Sequence, residues 1–299
     1  MLGWDLVERF RKNYDVIGIA DIAQSDQNIT FHQINLTDRK KIWDVITKER
    51  PDVVIHSAAF TNVDACESQR ELVFKVNADG TKWVAESTKE IGAQLFYIST
   101  DYVFDGLKKQ PYNEEDLPNP KSIYGESKLA GEVNVKNSGA NSTIIRTSWL
   151  FGWRGGNFFR TILKSMVWGE RLRVVNDQVG APTYTKDLAD ALFQIVHDFK
   201  GSATPKGTEI YHIANGGKTT FFDAARKLLD LAGAYNGLES ISSDELKRAA
   251  KRPPNSVFNM EKMKRKFNLI MRNWDEALTE YWTEHLEQEW KELISLKSA

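Results

Sequence analysis

The stretch AQLFYISTDYVFDG, residues 93–106, decides the fold. Its first eight residues are an apolar run of strand length that ends in two hydroxyl side chains, Ser99 and Thr100. Similar runs lie before and after it: DVIGIAD (15–21), PDVVIHSAA (51–59) and STIIRTS (142–148). Apolar strands that alternate with amphipathic helices are typical of a parallel sheet covered on both faces. We therefore predict an α/β fold with a doubly wound, Rossmann-like parallel sheet.

The segments between these strands have the apolar spacing of helices. It predicts helices from Gly3 to about Lys12, from Thr37 to Glu49, from about Ser68 to Ile91 and over SIYGESKLAGEV (122–133). After Trp149 the alternation stops. VVNDQVGAPTY (174–184) resembles an irregular loop, and residues 274–290 form a terminal helix. We predict a dinucleotide-binding domain over 1–150 and a smaller, mainly substrate-binding domain over 151–299, with a helix near 184–200 able to rejoin the first.

Composition narrows the class of protein. The chain has 299 residues and a net charge of −1, which gives no reason to expect nucleic acid or an acidic membrane surface as a partner. No stretch reaches the roughly 20 apolar residues of a membrane span. Cys66 is the one cysteine, so no intramolecular disulfide can form, and five scattered histidines show no metal-ligand spacing. We expect a cytoplasmic protein without a metal site.

A tyrosine and a lysine stand together near the middle of the chain. Tyr124 and Lys128 are four residues apart, so they share one face of the predicted helix. Ligands of such folds bind at the carboxyl ends of the strands, where Thr100 is also expected. A lysine beside a tyrosine lowers the phenol pKa, which suits proton transfer near neutrality. The alternative is an ordinary surface pair with no catalytic role. The position of Tyr124 and Lys128 after a strand that ends in Thr100 favours a catalytic role.

Five stretches resemble the extended short-chain dehydrogenase/reductase family, and within it the reductases of dTDP-4-dehydrorhamnose. They are STDYVFDG (99–106), YGESKLAGE (124–132), RTSWLFG (146–152), VNDQVGAPTYTKDLA (175–189) and RPPNS (252–256). The resemblance implies NAD(P)H-dependent reduction of the 4-keto group of dTDP-4-dehydro-6-deoxy-L-mannose. It implies that Tyr124 gives a proton to the keto oxygen, that Thr100 donates a hydrogen bond to that oxygen, and that Lys128 tunes Tyr124 and contacts the nicotinamide ribose.

The resemblance also implies a site for NADPH or NADH. Asp21 ends the strand VIGIAD, where a carboxylate can bind the adenosine ribose, and Gly3 lies 18 residues upstream. Ala58 and Ala59 belong to the loop expected to pass the cofactor, and Asn77 matches an asparagine that steadies the active site, with helix packing as its alternative. Gly3 would be the last glycine of a glycine-rich turn. We therefore expect a sheet without its first strand, and weak binding of NAD(P)H by the chain as given.

The substrate side is expected after the strand that ends near Thr147. Trp149, Trp153, Asn157 and Arg252 are candidates to bind the nucleotide sugar, with packing or a solvated arginine as the alternatives. The resemblance leaves a homodimer open. Two other functions remain: a non-catalytic subunit resembling the regulatory subunit of methionine adenosyltransferase, and another nucleotide-sugar reductase or epimerase.

Overall fold

The computed structural model describes residues 1–22, 29–200, 207–234 and 237–298. In chain order the strands are β1 (Ile17–Ala20), β2 (Thr30–Gln33), β3 (Val53–His56), β4 (Gln94–Thr100), β5 (Ser142–Thr147), β6 (Leu150–Phe151), β7 (Leu172–Val175), β8 (Val179–Gly180), β9 (Thr183–Tyr184), β10 (Thr208–His212), β11 (Thr219–Thr220) and β12 (Leu238–Ile241).

The α-helices are distributed along the whole chain. They are α1 (Leu2–Phe10), α2 (Arg39–Glu49), α3 (Val63–Ser68), α4 (Arg70–Phe74), α5 (Thr81–Ile91), α6 (Ile123–Ser138), α7 (Phe158–Val167), α8 (Thr185–Lys200), α9 (Phe221–Ala232), α10 (Glu261–Phe267), α11 (Trp274–Tyr281) and α12 (Glu287–Ser298). Lys75–Gly80 and Trp282–Leu286 are π-helical, and Asp101–Val103 and Ser243–Leu246 are 3₁₀ turns. In the described part of the chain, none of the helices is both long and apolar enough to cross a membrane.

A parallel sheet of four strands forms the centre of the first layer, in the order β10–β5–β4–β3. A second parallel pair, β2–β1, stands apart from it. α2 connects β2 of this pair to β3 of the four-stranded sheet. The Rossmann-like parallel architecture predicted from the apolar strands is confirmed. Within the described residues, no strand bridges β1 and β3.

Helices cover both faces of this sheet. On one face α1 and α8 share an apolar cluster that includes Leu6, Phe10 and Leu192. On the other face α2 and α5 form a second cluster, with Ile42 and Val84 among its members. All seven residues of β4 are buried, because it lies between these layers and has a neighbouring strand on each side. The end of β4 is therefore a rigid place for a functional side chain.

The second half of the chain contributes to both parts of the molecule. α8 packs against α1, and β10 pairs with β5 in the central sheet. A separate apolar cluster joins α7, α9, α11 and the short strand β7, with Phe159, Leu228 and Tyr281 at its centre. α8 and β10 therefore pack with the central sheet, although both follow residue 150 in the chain.

Three predicted segments differ in detail from the structure. The helix expected from about Ser68 to Ile91 starts at Val63, breaks at Gln69 and passes through the π-helical turn before α5. Residues 174–184, expected to be loop, contain β8 and β9. The terminal helix contains a π-helical turn and continues to Ser298. Two-residue strands and single π-helical turns are too short to show an apolar period, so the sequence pattern does not reveal them.

Candidate active site

Thr100 and Tyr124 meet at the carboxyl end of β4. Thr100 is buried and caps the 3₁₀ turn that follows, with its Oγ1 accepting from the Tyr102 N–H at 3.2 Å. Ser122 caps α6 by accepting from the Gly125 N–H at 3.2 Å, so the helix starts directly beneath the turn. A Cβ on Gly125 would lie 2.2 Å from the Tyr102 carbonyl oxygen, which explains the glycine. This close approach places the half-buried Tyr124 phenol near the Thr100 hydroxyl.

The pKa of Tyr124 corrects one expectation. Burial raises the pKa of the phenol above its ordinary value, and the nearby Thr100 hydroxyl opposes that rise only in part. The predicted lowering by Lys128 is wrong for this structure, because that lysine is directed elsewhere. Tyr124 is therefore a protonated phenol at neutral pH, which is the form that can donate a proton.

Lys128 turns toward the sheet. Its Nζ donates to the Ile98 carbonyl oxygen at 2.8 Å and lies 4.2 Å from the centroid of the Tyr97 ring. Burial lowers the pKa of the ammonium to about 7, although Glu132 acts in the opposite direction. The helix places Lys128 one turn after Tyr124, as predicted, but the lysine ammonium is bound by a backbone carbonyl oxygen of β4.

Asp101, which is not among the site residues predicted from the sequence, is a buried carboxyl beside Thr100. The Thr100 Oγ1 donates to its Oδ1 at 3.0 Å. Within the described residues, Asp101 Oδ2 and the nearby Ser256 Oγ have no hydrogen-bond partner. Burial raises the pKa of this carboxyl to about 6. Two features of the sequence could have identified this contact: Asp101 follows Thr100 directly, and Ser256 ends the RPPNS stretch.

A buried ion pair fixes α6 against the sheet. Glu132 accepts from Arg146 Nε at 2.9 Å and from Arg146 Nη2 at 2.7 Å, with both side chains at 1% exposure or less. The Ser99 hydroxyl donates to the same carboxylate at 2.6 Å. These three residues lie on β4, α6 and β5. They hold the elements that carry Thr100 and Tyr124 in one orientation.

The residues predicted for the cofactor lie near the carboxyl ends of β1 and β3. Asp21 is exposed directly after β1, and Ala58 and Ala59 follow β3, with Ala58 exposed. Gly3 is exposed at the start of α1, and a Cβ there would meet only the Ser57 Oγ, at 3.7 Å. The backbone at this end of α1 is therefore open to a ligand.

Asn77 lies in the interior and bonds to two neighbouring parts of the chain. It is 1% exposed in the π-helical turn. Its Nδ2 donates to the Phe60 carbonyl oxygen at 3.1 Å and to Ser127 Oγ at 3.0 Å, while its Oδ1 accepts from the Phe60 N–H at 2.7 Å. Direct cofactor contact is not supported, because the amide is already used within the protein. Asn77 instead joins the loop after β3 to α6, next to Tyr124.

Trp149 and Arg252 lie close to the candidate site at Thr100 and Tyr124. Trp149 has a positive φ of 47° and stacks on Phe221 with ring centroids 3.7 Å apart. Arg252 donates to both oxygens of Asp64, at 3.2 and 2.8 Å. Its charge also acts on Tyr102, whose ring contacts that of Tyr124 with centroids 5.4 Å apart. Both predicted residues thus border the candidate site, and Asp64 already pairs with the arginine.

Trp153 and Asn157 belong to another neighbourhood. Trp153 stacks on His285, with centroids 4.6 Å apart. Asn157 caps α7, and its Nδ2 donates to the Gly152 carbonyl oxygen at 2.9 Å and to Tyr281 Oη at 3.1 Å. A substrate contact is not supported for Asn157, because its amide group already serves these bonds. Within the described residues, neither side chain has a hydrogen bond or ring contact with Thr100, Tyr124 or Lys128.

Comparison with known proteins identifies the family. Residues 1–287 match the RmlD substrate binding domain family. The chain belongs to the RmlD family. One relative is the spore coat polysaccharide biosynthesis protein SpsK of Bacillus subtilis, 37% identical over 281 residues, which are 94% of this chain and 93% of that protein. Another is the dTDP-4-dehydrorhamnose reductase of Escherichia coli K12, 32% identical over 279 residues and 91% of each chain.

Solved structures agree with membership of the RmlD family. The crystal structure of dTDP-4-dehydrorhamnose reductase from Bacillus anthracis in complex with NADP has a TM-score of 0.81 and 33% identity. It covers 90% of this chain and 98% of that one. The UDP-glucose 4-epimerase of Thermotoga maritima has a TM-score of 0.79 at 19% identity, covering 95% and 96% of the two chains. That second likeness concerns the fold alone.

Proposed function

We propose that this chain is an NAD(P)H-dependent reductase that converts dTDP-4-dehydro-6-deoxy-L-mannose to dTDP-L-rhamnose. The observation that carries the proposal is the position of the Tyr124 phenol near the Thr100 hydroxyl at the carboxyl end of β4, both beside Tyr102. Two of the relatives described above are dTDP-4-dehydrorhamnose reductases, and they match this chain over about nine-tenths of its length. Membership of the RmlD family supports the same reaction.

The residues near α1 fit a nicotinamide dinucleotide. The open backbone at Gly3 would face the phosphates, since the amino end of a helix favours anions. Asp21 would accept from the adenosine ribose, and the exposed loop at Ala58 and Ala59 would lie along the cofactor. The structure of the Bacillus anthracis relative contains NADP. When bound, the reduced nicotinamide would supply the hydride that the keto carbon needs.

Tyr124 would supply the proton. Reduction of a ketone adds a hydride to carbon and a proton to oxygen, so the C=O double bond becomes a C–O single bond bearing O–H. The raised pKa keeps the Tyr124 phenol protonated until the oxygen becomes basic. Thr100 would turn its hydroxyl from Asp101 toward the same oxygen and stabilise the developing charge. Lys128 would exchange its bond to Ile98 for one to the cofactor ribose.

The substrate would lie between the sheet and the second half of the chain. Trp149 offers an aromatic face near Thr100, and Arg252 offers a guanidinium for diphosphate oxygens once it leaves Asp64. Trp153 is a more distant candidate for the nucleotide end. We divide the molecule for this purpose into a cofactor part over 1–150, extended by residues 185–212, and a nucleotide-sugar part formed by the remaining second half.

The test is a direct assay with the purified full chain. With NAD(P)H supplied in excess to offset its expected weak binding, we expect loss of the reduced-nicotinamide absorbance that depends on dTDP-4-dehydro-6-deoxy-L-mannose, with a product two hydrogens heavier by mass spectrometry. Titration of NADPH and of the nucleotide sugar is done first, so that failed binding is distinguished from failed chemistry. A protein that binds both compounds and does not turn them over would contradict the proposed function.

A further inference from the structure

Lys128 brings an ammonium group into the interior of the molecule. The residue is 2% exposed, and its Nζ donates to the neutral carbonyl oxygen of Ile98 at 2.8 Å. The centroid of the Tyr97 ring lies 4.2 Å from the same Nζ. A carbonyl dipole and an aromatic ring offset only part of the free-energy cost of burying a full charge. The ammonium form of Lys128 is therefore stabilised by any negative charge that lies nearby.

Glu132 is a buried carboxylate one helical turn after Lys128 on α6. Residues four apart share a face of a helix, and here that face is turned toward β4. The Ser99 hydroxyl donates to Glu132 at 2.6 Å, and Ser99 directly follows Ile98, whose carbonyl oxygen binds Lys128. Two consecutive residues of β4 thus hold the two opposite charges beside each other.

Tyr97 shows that the charge of Glu132 acts at this place. The Tyr97 phenol donates to the Lys128 carbonyl oxygen at 3.3 Å. A Cβ on Gly131 would lie 2.3 Å from the phenol oxygen, so the glycine lets the ring approach α6. Burial raises the pKa of Tyr97, and the Glu132 carboxylate raises it further. The field of this carboxylate therefore reaches the ring that contacts the Lys128 ammonium.

Arg146 uses the same carboxylate as Lys128. Its guanidinium is 1% exposed and donates to Glu132 from Nε at 2.9 Å and from Nη2 at 2.7 Å. One buried carboxylate thus serves two buried cations. Arginine remains charged in proteins, whereas a buried lysine can lose its proton. Burial lowers the pKa of Lys128 to about 7, and Glu132 opposes that fall. The negative charge that Arg146 leaves uncompensated therefore acts on the protonation of Lys128.

The other ionisable side chains that face Lys128 are neutral near pH 7. Burial, with a smaller contribution from the Lys128 charge, lowers the pKa of His56 at the end of β3 to about 3. Burial raises the pKa of the Tyr97 and Tyr124 phenols, which therefore remain protonated. These three groups contribute no charge that would replace that of Glu132.

Charged side chains on the other elements packed against α6 have partners of their own. Glu67 of α3 accepts from the Ile123 N–H at 2.9 Å, at the amino end of α6. Arg70 of α4 pairs with Glu126 at the surface. Asp101, in the 3₁₀ turn, accepts from the threonine that precedes it. These contacts lie toward the amino end of α6, whereas Glu132 lies on the turn that follows Lys128.

We propose that Glu132 is a positioning residue that keeps Lys128 in its ammonium form, and that Arg146 limits this effect by using the same carboxylate. The inference rests on the proposed function only where it concerns turnover. In that reaction the ammonium charge would stabilise the Tyr124 phenolate that remains after the proton passes to the keto oxygen.

The test is the titration of Lys128 in the full chain, followed by NMR of isotope-labelled lysine side chains. The signal of Lys128 titrates near pH 7 and is missing in Lys128→Met, whereas ordinary lysines titrate near about pH 10.4. Glu132→Gln removes the carboxylate charge and should lower the midpoint by at least about one pH unit. Arg146→Met leaves the carboxylate charge unshared and should raise it. Both variants break the same ion pair, so opposite signs separate charge from packing.

Two further variants serve as controls. Glu126→Gln breaks the surface pair on the same helix and should leave the Lys128 midpoint unchanged. The double variant Glu132→Leu with Arg146→Met replaces the buried pair by apolar side chains, which is often neutral for stability. It should lower the midpoint as Glu132→Gln does. Thermal unfolding shows whether each variant is folded, and the double variant carries the test if a single variant is not.

The pH dependence of turnover tests the link to the reaction. With NADPH and the nucleotide sugar, kcat/KM should fall as the pH rises through the Lys128 midpoint, and this fall should move with the midpoint in each variant. If the chain does not reduce the sugar, the proposed function fails, while the titration still decides the role of Glu132.

Three results would overturn the inference. An unchanged midpoint in Glu132→Gln or in the double variant would show that the carboxylate does not act on Lys128. Midpoints that move in the same direction in Glu132→Gln and Arg146→Met would mean that altered packing is the cause. Midpoints that move while the pH profile of kcat/KM stays fixed would contradict the role in turnover.

Discussion

At the scale of single residues, Tyr124 is the group whose loss should separate chemistry from folding. Tyr124→Phe removes the proton donor and keeps the ring that contacts Tyr102. We expect kcat to fall by at least about a hundredfold, the scale of a lost general acid. The melting temperature should change little. Steady-state kinetics with saturating cofactor and nucleotide sugar measures the effect.

The matched control for this variant is another buried tyrosine. Tyr211 lies in β10, within the apolar cluster of α1 and α8. Tyr211→Phe makes the same chemical change away from the site and should leave kcat near that of the unaltered protein. A Tyr124→Phe enzyme with the kcat of this control would remove Tyr124 from the mechanism.

Asp21 should decide how the two cofactors compare. Its carboxylate follows β1 and is exposed, so it can accept from a 2′-hydroxyl but would repel a 2′-phosphate. We expect the protein to accept NADH, and Asp21→Ala to shift the ratio of dissociation constants toward NADPH. Fluorescence titration with both cofactors measures that ratio. If the unaltered protein binds NADPH far more tightly than NADH, this interpretation of Asp21 is wrong.

The carboxyl of Asp101 should make stability depend on pH. Burial raises its pKa from 3.8 to about 6, so folding favours the protonated form. Its contribution is complete below the unfolded pKa and is lost as the pH rises through about 6. Asp101→Asn removes the buried charge and retains an oxygen that can accept from Thr100. Relative to the unaltered protein, the variant should gain stability as the pH rises from 3.8 to about 6, and it should keep that gain at higher pH.

A carboxyl with the opposite shift provides the control. The Leu107 N–H donates to Asp105 and, as the largest cause, lowers the pKa of that carboxyl. Asp105→Asn should therefore lose stability near neutral pH. Urea unfolding of both variants over this pH range tests the signs. A pH-independent difference for Asp101→Asn would show that its carboxyl does not titrate there.

At the scale of secondary structure, breaking the buried Glu132–Arg146 ion pair should strongly lower the stability of the fold. Glu132→Gln keeps the size of the side chain but leaves the guanidinium without a counter-charge at about 1% exposure. We expect the free energy of unfolding to fall by about 3–5 kcal/mol. Glu126→Gln on the same helix breaks a pair with Arg70 that lies at the surface. That control should cost no more than about 1 kcal/mol. Equal losses in the two variants would contradict the interpretation.

The same elements show what the sequence could predict. β4, β5 and α6 have strong apolar periods, and the prediction of all three agrees with the structure because local pattern and burial coincide. The break at Gln69 and the π-helical turn were not predicted. The π-helical turn contains Asn77, which bonds to Phe60 and Ser127, and both are far from it in sequence. Such tertiary contacts have no periodic signal.

The candidate site divides in a similar way. Spacing and resemblance placed Thr100 beside Tyr124, and the structure brings them together. The same information could not show that the Asn157 amide donates to Gly152 and Tyr281, or that the Lys128 ammonium donates to Ile98. A motif gives the position of a side chain along an element. The hydrogen-bond partner of that side chain depends on which distant parts of the chain pack against the element.

At the scale of the whole molecule, the gap between β1 and β3 has a consequence for cooperativity. In the described residues, no ladder of hydrogen bonds carries strain from the β1–β2 pair to the four-stranded sheet, so the two are joined through side-chain packing and the connecting chain. Regions joined in this way can unfold as separate units. We expect heat to melt the β1–β2 pair before the main sheet, with a calorimetric enthalpy larger than the van't Hoff value. A single two-state transition would show that α1 and α2 alone are sufficient to make the molecule unfold as one.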